Sequence, residues 1–395
     1  MDVFARFSTF TAAREVIAAG LYPYFLPLDG HEGPTVIRDG REIIMCGSNN
    51  YLGLTGDLRV RAAARAAVDR YGTSCTGSRF LNGNLTLHQE LEAELASFYG
   101  KQAALVMSTG YQTNLGVIAA LLTPRDHVLI DQDAHASIID GCRLSGARLR
   151  RFEHNDAGSL ERALAALPED AARLVVVDGV YSMEGDICDL PAISRVCRAH
   201  GARLIVDDAH GLGVLAGGRG TPAHFGLTDE VDLVTVTFSK SLASLGGAVI
   251  GDEDAIHYLR HHARSLMFSA SLPPADTAAA LTALRILRDE PELAYRARKN
   301  ATYVRGELAR VGVDTGSSDT PVVPLHTPGT TETLTLWRRL LDRGVYVNPV
   351  LPPAASPRLR TSYMASHTPE QLDRALDAFA AEAHLLRQPE PAAAT

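Results

Sequence analysis

The chain has 395 residues, 46 % of them hydrophobic and 21 % charged, with a formal net charge of −8. That balance excludes a chain disordered or fibrous throughout, leaves no basic face for a nucleic-acid backbone, and predicts one large domain with a smaller one beside it. No apolar run approaches the roughly 20 residues that cross a bilayer.

Residues 1–50 open with MDVFARFSTFTAAREVIAAGLYPYF, whose charges are scattered among aromatics and lack the basic-then-apolar order of a signal peptide. The segment predicts an amphipathic packing helix and then a small strand segment. A large α/β domain is expected over residues 51–289, a smaller α+β domain over 290–387, and a disordered tail, QPEPAAAT, over 388–395. The five cysteines contain no CxxC pair. Neither a metal site nor a disulfide framework is indicated, and a reducing cytoplasm is the simplest compartment.

The first Gly-rich stretch, YGTSCTGSRFLNG, surrounds Arg79 ahead of the helical pattern LTLHQELEAELASFYG. Its spacing departs from GxxxxGK[ST]; it reads as loop punctuation or as a close approach to a bulky substrate, with Arg79 as a substrate contact. Next, MSTGYQTNLGVIAAL sets Ser108, Thr109 and Gly110 before a helix whose first turn carries Tyr111. Free N–H groups at such a helix start suit a phosphate.

Four apolar runs then predict buried parallel strands: HVLI before Asp131, RLVVV before Asp178, RLIV before Asp207 and DLVTV before Thr237. Each is followed by a polar or small-residue cluster, and in an open parallel sheet such clusters meet at the carboxyl ends of the strands. Of 38 basic residues three are lysines, and one of them, Lys240, lies in the last cluster, TFSKSLAS; Lys101 and Lys299 read as solvated. A lysine held there can lose its proton and form a Schiff base with a carbonyl cofactor, as pyridoxal phosphate requires. Asp207 is placed to face the pyridinium nitrogen, although Asp207 or Asp208 would equally cap the following turn. His210 and Ser182 are placed for the ring hydroxyl, His135 for the ring face, and Thr237 and Ser239 as further phosphate donors. Beyond Asp289 helices alternate with short strands.

Over residues 20–385 the ordered blocks SNNYLGL, GTSCTGSRFLNG with LHQELE, STGYQTN, DAHASIIDG, GVYSMEGD, VDDAHGLGVLAGGRG, TFSKSLASLGG, FSASLPPA and LRTSYMASHT resemble the α-oxoamine synthases, pyridoxal-phosphate enzymes of fold type I. The resemblance implies a large domain with a mostly parallel central sheet, a smaller C-terminal α+β domain, and a homodimer that shares its active sites. It implies Lys240 as the Schiff-base lysine, Asp207 as the pyridinium partner, His135 as the stacking histidine, and His210 with Ser182 as ring-oxygen contacts. Gly110, Tyr111, Thr237 and Ser239 fall where the family binds phosphate. Arg360 falls on an arginine that grips the amino-acid carboxylate, a task suited to a guanidinium fork. Asn50 lies near that carboxylate, and Ser269 or Ser271 matches a residue that reaches the partner's phosphate.

The implied reaction is a decarboxylative Claisen-type condensation of a small L-amino acid, L-serine favoured, with an acyl-CoA thioester, giving an α-amino ketone, carbon dioxide and CoA. Lys240 would act as base. Leu351 stands where some bacterial members carry an arginine that contacts the serine carboxylate. Alanine, glycine or glutamate, and a carrier-protein thioester, therefore stay open as substrates. A fold type I aminotransferase would share Lys240 and Asp207 but leaves the GSRFLNG and MASHT blocks unexplained. A partner subunit without chemistry would not need the lysine.

Overall fold

The computed structural model describes residues 2–386, so the tail expected over 388–395 lies outside the described residues. In chain order the strands are β1 (Gly30–Glu32), β2 (Thr35–Arg38), β3 (Arg41–Met45), β4 (Ala103–Met107), β5 (His127–Asp131), β6 (Arg148–Phe152) and β7 (Arg173–Asp178). They continue with β8 (Arg203–Asp207), β9 (Leu233–Thr237), β10 (Gly247–Gly251), β11 (Val322–His326), β12 (Val345–Tyr346), β13 (Asn348–Val350) and β14 (Arg358–Ser362).

Seven of these form the central sheet, in the order β4-β10-β9-β8-β7-β5-β6. The expected mostly parallel sheet is present: β6, β5, β7, β8 and β9 pair in parallel, and β10 runs antiparallel to both its neighbours, β4 and β9. The four runs read as buried strands are β5, β7, β8 and β9, all interior to the sheet. Covered on both faces, such strands are apolar along their length. Val175, Val177, Val206 and Val236 point into one core, beneath the helices Thr86–Tyr99 and Pro274–Asp289. Val128, Ile130, Val176 and Ile205 point into the opposite core, beneath Gly110–Leu121 and Ala136–Ser145. β6, RLRRF, closes one edge with its arginines exposed, and charge there discourages pairing with another chain.

A third core joins the two ends of the chain. Val36, Ile43 and Ile44 pack with Ala301, Trp337, Leu340, Leu359 and Phe379, and β3 pairs in parallel with β12, Ile44 opposite Val345. β11, β14 and β13 make a separate antiparallel sheet. The strands of the first 50 residues are thus part of the C-terminal core, because three short strands with one apolar face need something to cover it. The single packing helix expected at the start is instead two short helices, Ala5–Thr9 and Ala12–Ala18, separated where Phe10 turns extended at φ −85°, ψ 91°. Neither buries a residue, and Phe4, Phe7, Phe10 and Ile17 are exposed. No helix among the described residues is long and apolar enough to cross a membrane.

Candidate active site

Asp178 and Asp207 end β7 and β8 in register with each other, and both are buried. Asp207 accepts the Ala209 main-chain N–H at 3.0 Å and the Asn114 side-chain amide at 2.6 Å. Asn114 reaches in from the helix Gly110–Leu121; it also donates to Ser137 Oγ at 2.9 Å and accepts from the Thr235 hydroxyl at 2.7 Å. Asp178 accepts the main-chain N–H of His135 at 3.1 Å. Burial, reinforced by the charge of Asp207, pushes the Asp178 carboxyl well above the usual carboxylate range. The His135 ring meets the Ser137 hydroxyl through Nδ1 at 2.7 Å, and burial lowers its basicity.

Past the end of β9 the chain turns back over the sheet and presents Lys240, half-buried. Burial brings its ammonium down to about 8, against the opposing pull of Asp207. Gly246 closes this turn at φ +123°, where an added Cβ would stand 2.5 Å from the Phe238 ring. The turn therefore needs glycine on both conformational and steric grounds.

At the start of the helix Gly110–Leu121, Thr109 accepts the Gln112 N–H at 3.0 Å as the cap. The N–H groups of Gly110 and Tyr111 have no partner within the helix and suit an anion. The helix comes down directly on the end of β9: a Cβ on Gly110 would lie 2.7 Å from Thr237 Cβ. Thr237 and Ser239 share a hydrogen bond of 2.8 Å beside it.

On the other side, His210 Nδ1 and the Tyr51 hydroxyl share a hydrogen bond of 2.7 Å. Burial, then the charges of Lys240 and Arg360, hold the His210 imidazole well below its usual basicity, so it carries one proton. Arg360, on β14, donates to the Tyr51 hydroxyl at 3.3 Å and from Nε to the main-chain oxygen of Ser182 at 2.5 Å.

Thr109, Gly110, Tyr111, His135, Asp207, His210, Thr237, Ser239 and Lys240 line a cavity of about 260 Å³ at the carboxyl ends of the strands. Sequence reasoning missed Asn114, Ser137, Asp178 and Thr235, which share it. A signal for Asn114 existed: it is a buried polar side chain on a helix face otherwise carrying Val117 and Ile118.

Other expected residues stand apart from this cavity. Arg79, expected as a substrate contact, binds Glu92 at 2.9 Å, the Val106 carbonyl at 3.1 Å and Asn84 at 2.7 Å through its guanidinium and so fastens its loop to β4. Asn50 is buried and donates to the Thr55 hydroxyl at 2.8 Å. Ser182 is held through its main chain. Ser108 donates to the Ala270 carbonyl at 2.5 Å, and Ser269 accepts from Gln112 at 3.2 Å, which ties the segment of Ser269 and Ser271 to the start of the helix Gly110–Leu121. Ser271 itself donates its N–H to Gly77 O at 2.9 Å.

The donor set fits pyridoxal phosphate: an amine of lowered basicity, a buried carboxylate, histidines lining the same cavity and a helix start with two adjacent hydroxyls. The family profile described as aminotransferase class I and II matches residues 41–379. A serine palmitoyltransferase of Sphingobacterium spiritivorum is 47 % identical over 376 residues, 94 % of each chain. An 8-amino-7-oxononanoate synthase of Geobacter sulfurreducens is 43 % identical over 368 residues, covering 91 % of this chain and 94 % of that one. Among solved structures, a serine palmitoyltransferase with its PLP internal aldimine superposes with a TM-score of 0.95 at 36 % identity, covering 98 % of this chain and 99 % of the other. On sequence, coverage and fold together, this chain belongs to the α-oxoamine synthase branch of the aminotransferase class I and II family of pyridoxal-phosphate enzymes.

Proposed function

We propose that this chain condenses L-serine with an acyl-CoA thioester, forming a carbon–carbon bond between the amino-acid α-carbon and the acyl carbonyl. The thioester C–S bond breaks, the amino-acid carboxyl group leaves as carbon dioxide, and the thiol is released with a proton. The observation that carries this reading is Lys240 set beside Asp207 at the strand ends, opposite a capped helix start. The relatives named serine palmitoyltransferase support serine as the amino acid.

When bound, pyridoxal phosphate supplies an electron sink for charge developing at the amino-acid α-carbon. Asp207, fixed by Asn114 and the Ala209 N–H, holds the proton on the pyridine nitrogen. Lys240 would hold the cofactor through its carbonyl and, with its lowered basicity, would carry the α-proton as general base near neutral pH. His135 would cover the ring face, and His210 would meet the ring oxygen. Gly110, Tyr111, Thr237 and Ser239 would hold the phosphate, and Arg360 would grip the substrate carboxylate. A homodimer, with the segment of Ser269 and Ser271 completing the neighbouring site, fits the family. The five free cysteines, four of them buried, suit a reducing cytoplasm.

The test is product analysis by mass spectrometry with serine, alanine, glycine and glutamate against a panel of acyl-CoA and acyl-carrier-protein donors. Serine with a long acyl-CoA is expected to give the α-amino ketone with stoichiometric carbon dioxide, and Lys240→Ala is expected to abolish it. Ketoacid-dependent amino exchange without carbon dioxide release would overturn the reading in favour of an aminotransferase.

A further inference from the structure

We propose that Asn114 and Ser137 are positioning residues that relay the orientation set by Asp207 to His135 and fix the His135 proton on Nε2. A carboxylate oxygen only accepts, so the atom of Asn114 that lies 2.6 Å from Asp207 Oδ2 is the amide nitrogen, and the Thr235 hydroxyl donates to the amide oxygen on the other side. The same nitrogen donates its second hydrogen to Ser137 Oγ at 2.9 Å. Ser137 Oγ lies 2.7 Å from His135 Nδ1, and because the Ser137 main-chain N–H also points at that nitrogen, at 3.3 Å, Nδ1 accepts and the hydroxyl is the donor. Two donors meet Nδ1, so the ring's one proton sits on Nε2.

Asn114, Ser137 and Thr235 are 3 %, 0 % and 2 % exposed, so water does not replace any link of the relay. The consequence for catalysis rests on the function proposed above: the group that pairs with the cofactor nitrogen also decides that His135 offers a donor, Nε2–H, to whatever oxygen is bound over the ring. The tautomer itself does not depend on that function.

The experiment is proton–nitrogen NMR of full-length protein loaded with pyridoxal phosphate and containing isotope-labelled histidine, with His135 assigned by His135→Gln. Wild type is expected to show the Nε2–H form. Ser137→Ala is expected to move the two ring-nitrogen shifts toward each other as the proton distributes between them. Asn114→Ala, which leaves every atom touching His135 in place, is expected to do the same to a smaller degree, an effect that a merely structural role would not produce. An Nδ1–H form in wild type, or unchanged nitrogen shifts in either folded variant, overturns the proposal; where a variant does not fold, the wild-type spectrum decides. Failure to take up the cofactor or to form an α-amino ketone would defeat the functional reading and leave the tautomer measurable.

Discussion

Tyr51 and His210 share a hydrogen bond of 2.7 Å although 159 residues separate them, and Arg360 donates to the same Tyr51 oxygen at 3.3 Å. One phenol therefore joins the N-terminal segment, the end of β8 and β14 at the rim of the cavity. Burial raises the Tyr51 pKa against the lowering effect of Arg360, so the phenol stays protonated at neutral pH. Any movement of Arg360 onto a substrate carboxylate is felt at His210 through this oxygen.

Replacing Arg360 by lysine keeps the charge and removes the planar fork. The loss of one charge-assisted hydrogen bond is worth about 1.5–3 kcal/mol, roughly a 10- to 100-fold fall in kcat/KM, expected mostly as a higher KM for the amino acid. Steady-state kinetics with serine varied at saturating acyl-CoA measures it. An unchanged KM would place the carboxylate elsewhere.

Arg79 is expected to matter for stability and not for substrate. Its partner Glu92 lies 2.9 Å away with both side chains 8 % exposed, so Arg79→Ala leaves a buried carboxylate to the more distant Arg260 at 3.7 Å. The expected cost is about 3 kcal/mol in equilibrium denaturation, with the amino-acid KM unchanged. A raised KM at an unchanged denaturation midpoint would return Arg79 to the substrate site.

The lowered basicity of Lys240 gives a pH dependence with a definite sign. Capture of pyridoxal phosphate by the apoenzyme requires the free amine and is expected to rise with a midpoint near pH 8. For stability, the folded chain releases this proton at about 8 and the unfolded chain at its ordinary 10.5. Below that window both forms hold the proton and the burial penalty is present in full. Within it the unfolded chain holds more protons, so the apoenzyme gains stability from this group as pH rises. Comparing wild type with Lys240→Met in thermal melts across pH isolates the effect, and a capture midpoint near pH 10 would contradict it.

Gly110→Ala sets a methyl group 2.7 Å from Thr237 Cβ and lifts the helix start from the strand end. The loss of the anion's alignment with the helix N-terminus is worth up to about 2 kcal/mol, so cofactor affinity is expected to fall roughly 10- to 30-fold. Absorbance during dialysis follows the loss. Retention equal to wild type would put the phosphate at another set of donors.

The middle of the fold was legible because strands covered on both faces have to be apolar throughout, which leaves polar residues only at their ends. That pattern exposed Asp207, Thr237 and Lys240 directly. Asn114 stood out only as a polar residue on an apolar helix face; its partner Asp207 lies 93 residues further on, and only the packed structure brings them together. The Arg79–Glu92 pair was hidden for a related reason: the Gly-rich surroundings of Arg79 suggest a ligand, and Glu92 looks in HQELEAEL like any exposed helical glutamate. The apolar residues at the start of the chain suggested a packed helix, but the extended conformation at Phe10 divides it. Tyr51 carried no signal within SNNYLGL for the histidine it meets.

The parallel pairing of β3 with β12, Ile44 opposite Val345, sets an order of assembly during synthesis. At about 5–20 residues per second, roughly 15–60 s pass between the emergence of one strand and the other. All seven strands of the central sheet lie between Ala103 and Gly251 and leave the ribosome within that interval. The newborn large sheet can thus close while β3 still waits with an open edge. A chain stopped short of Val345 would leave that edge without the strand that completes it.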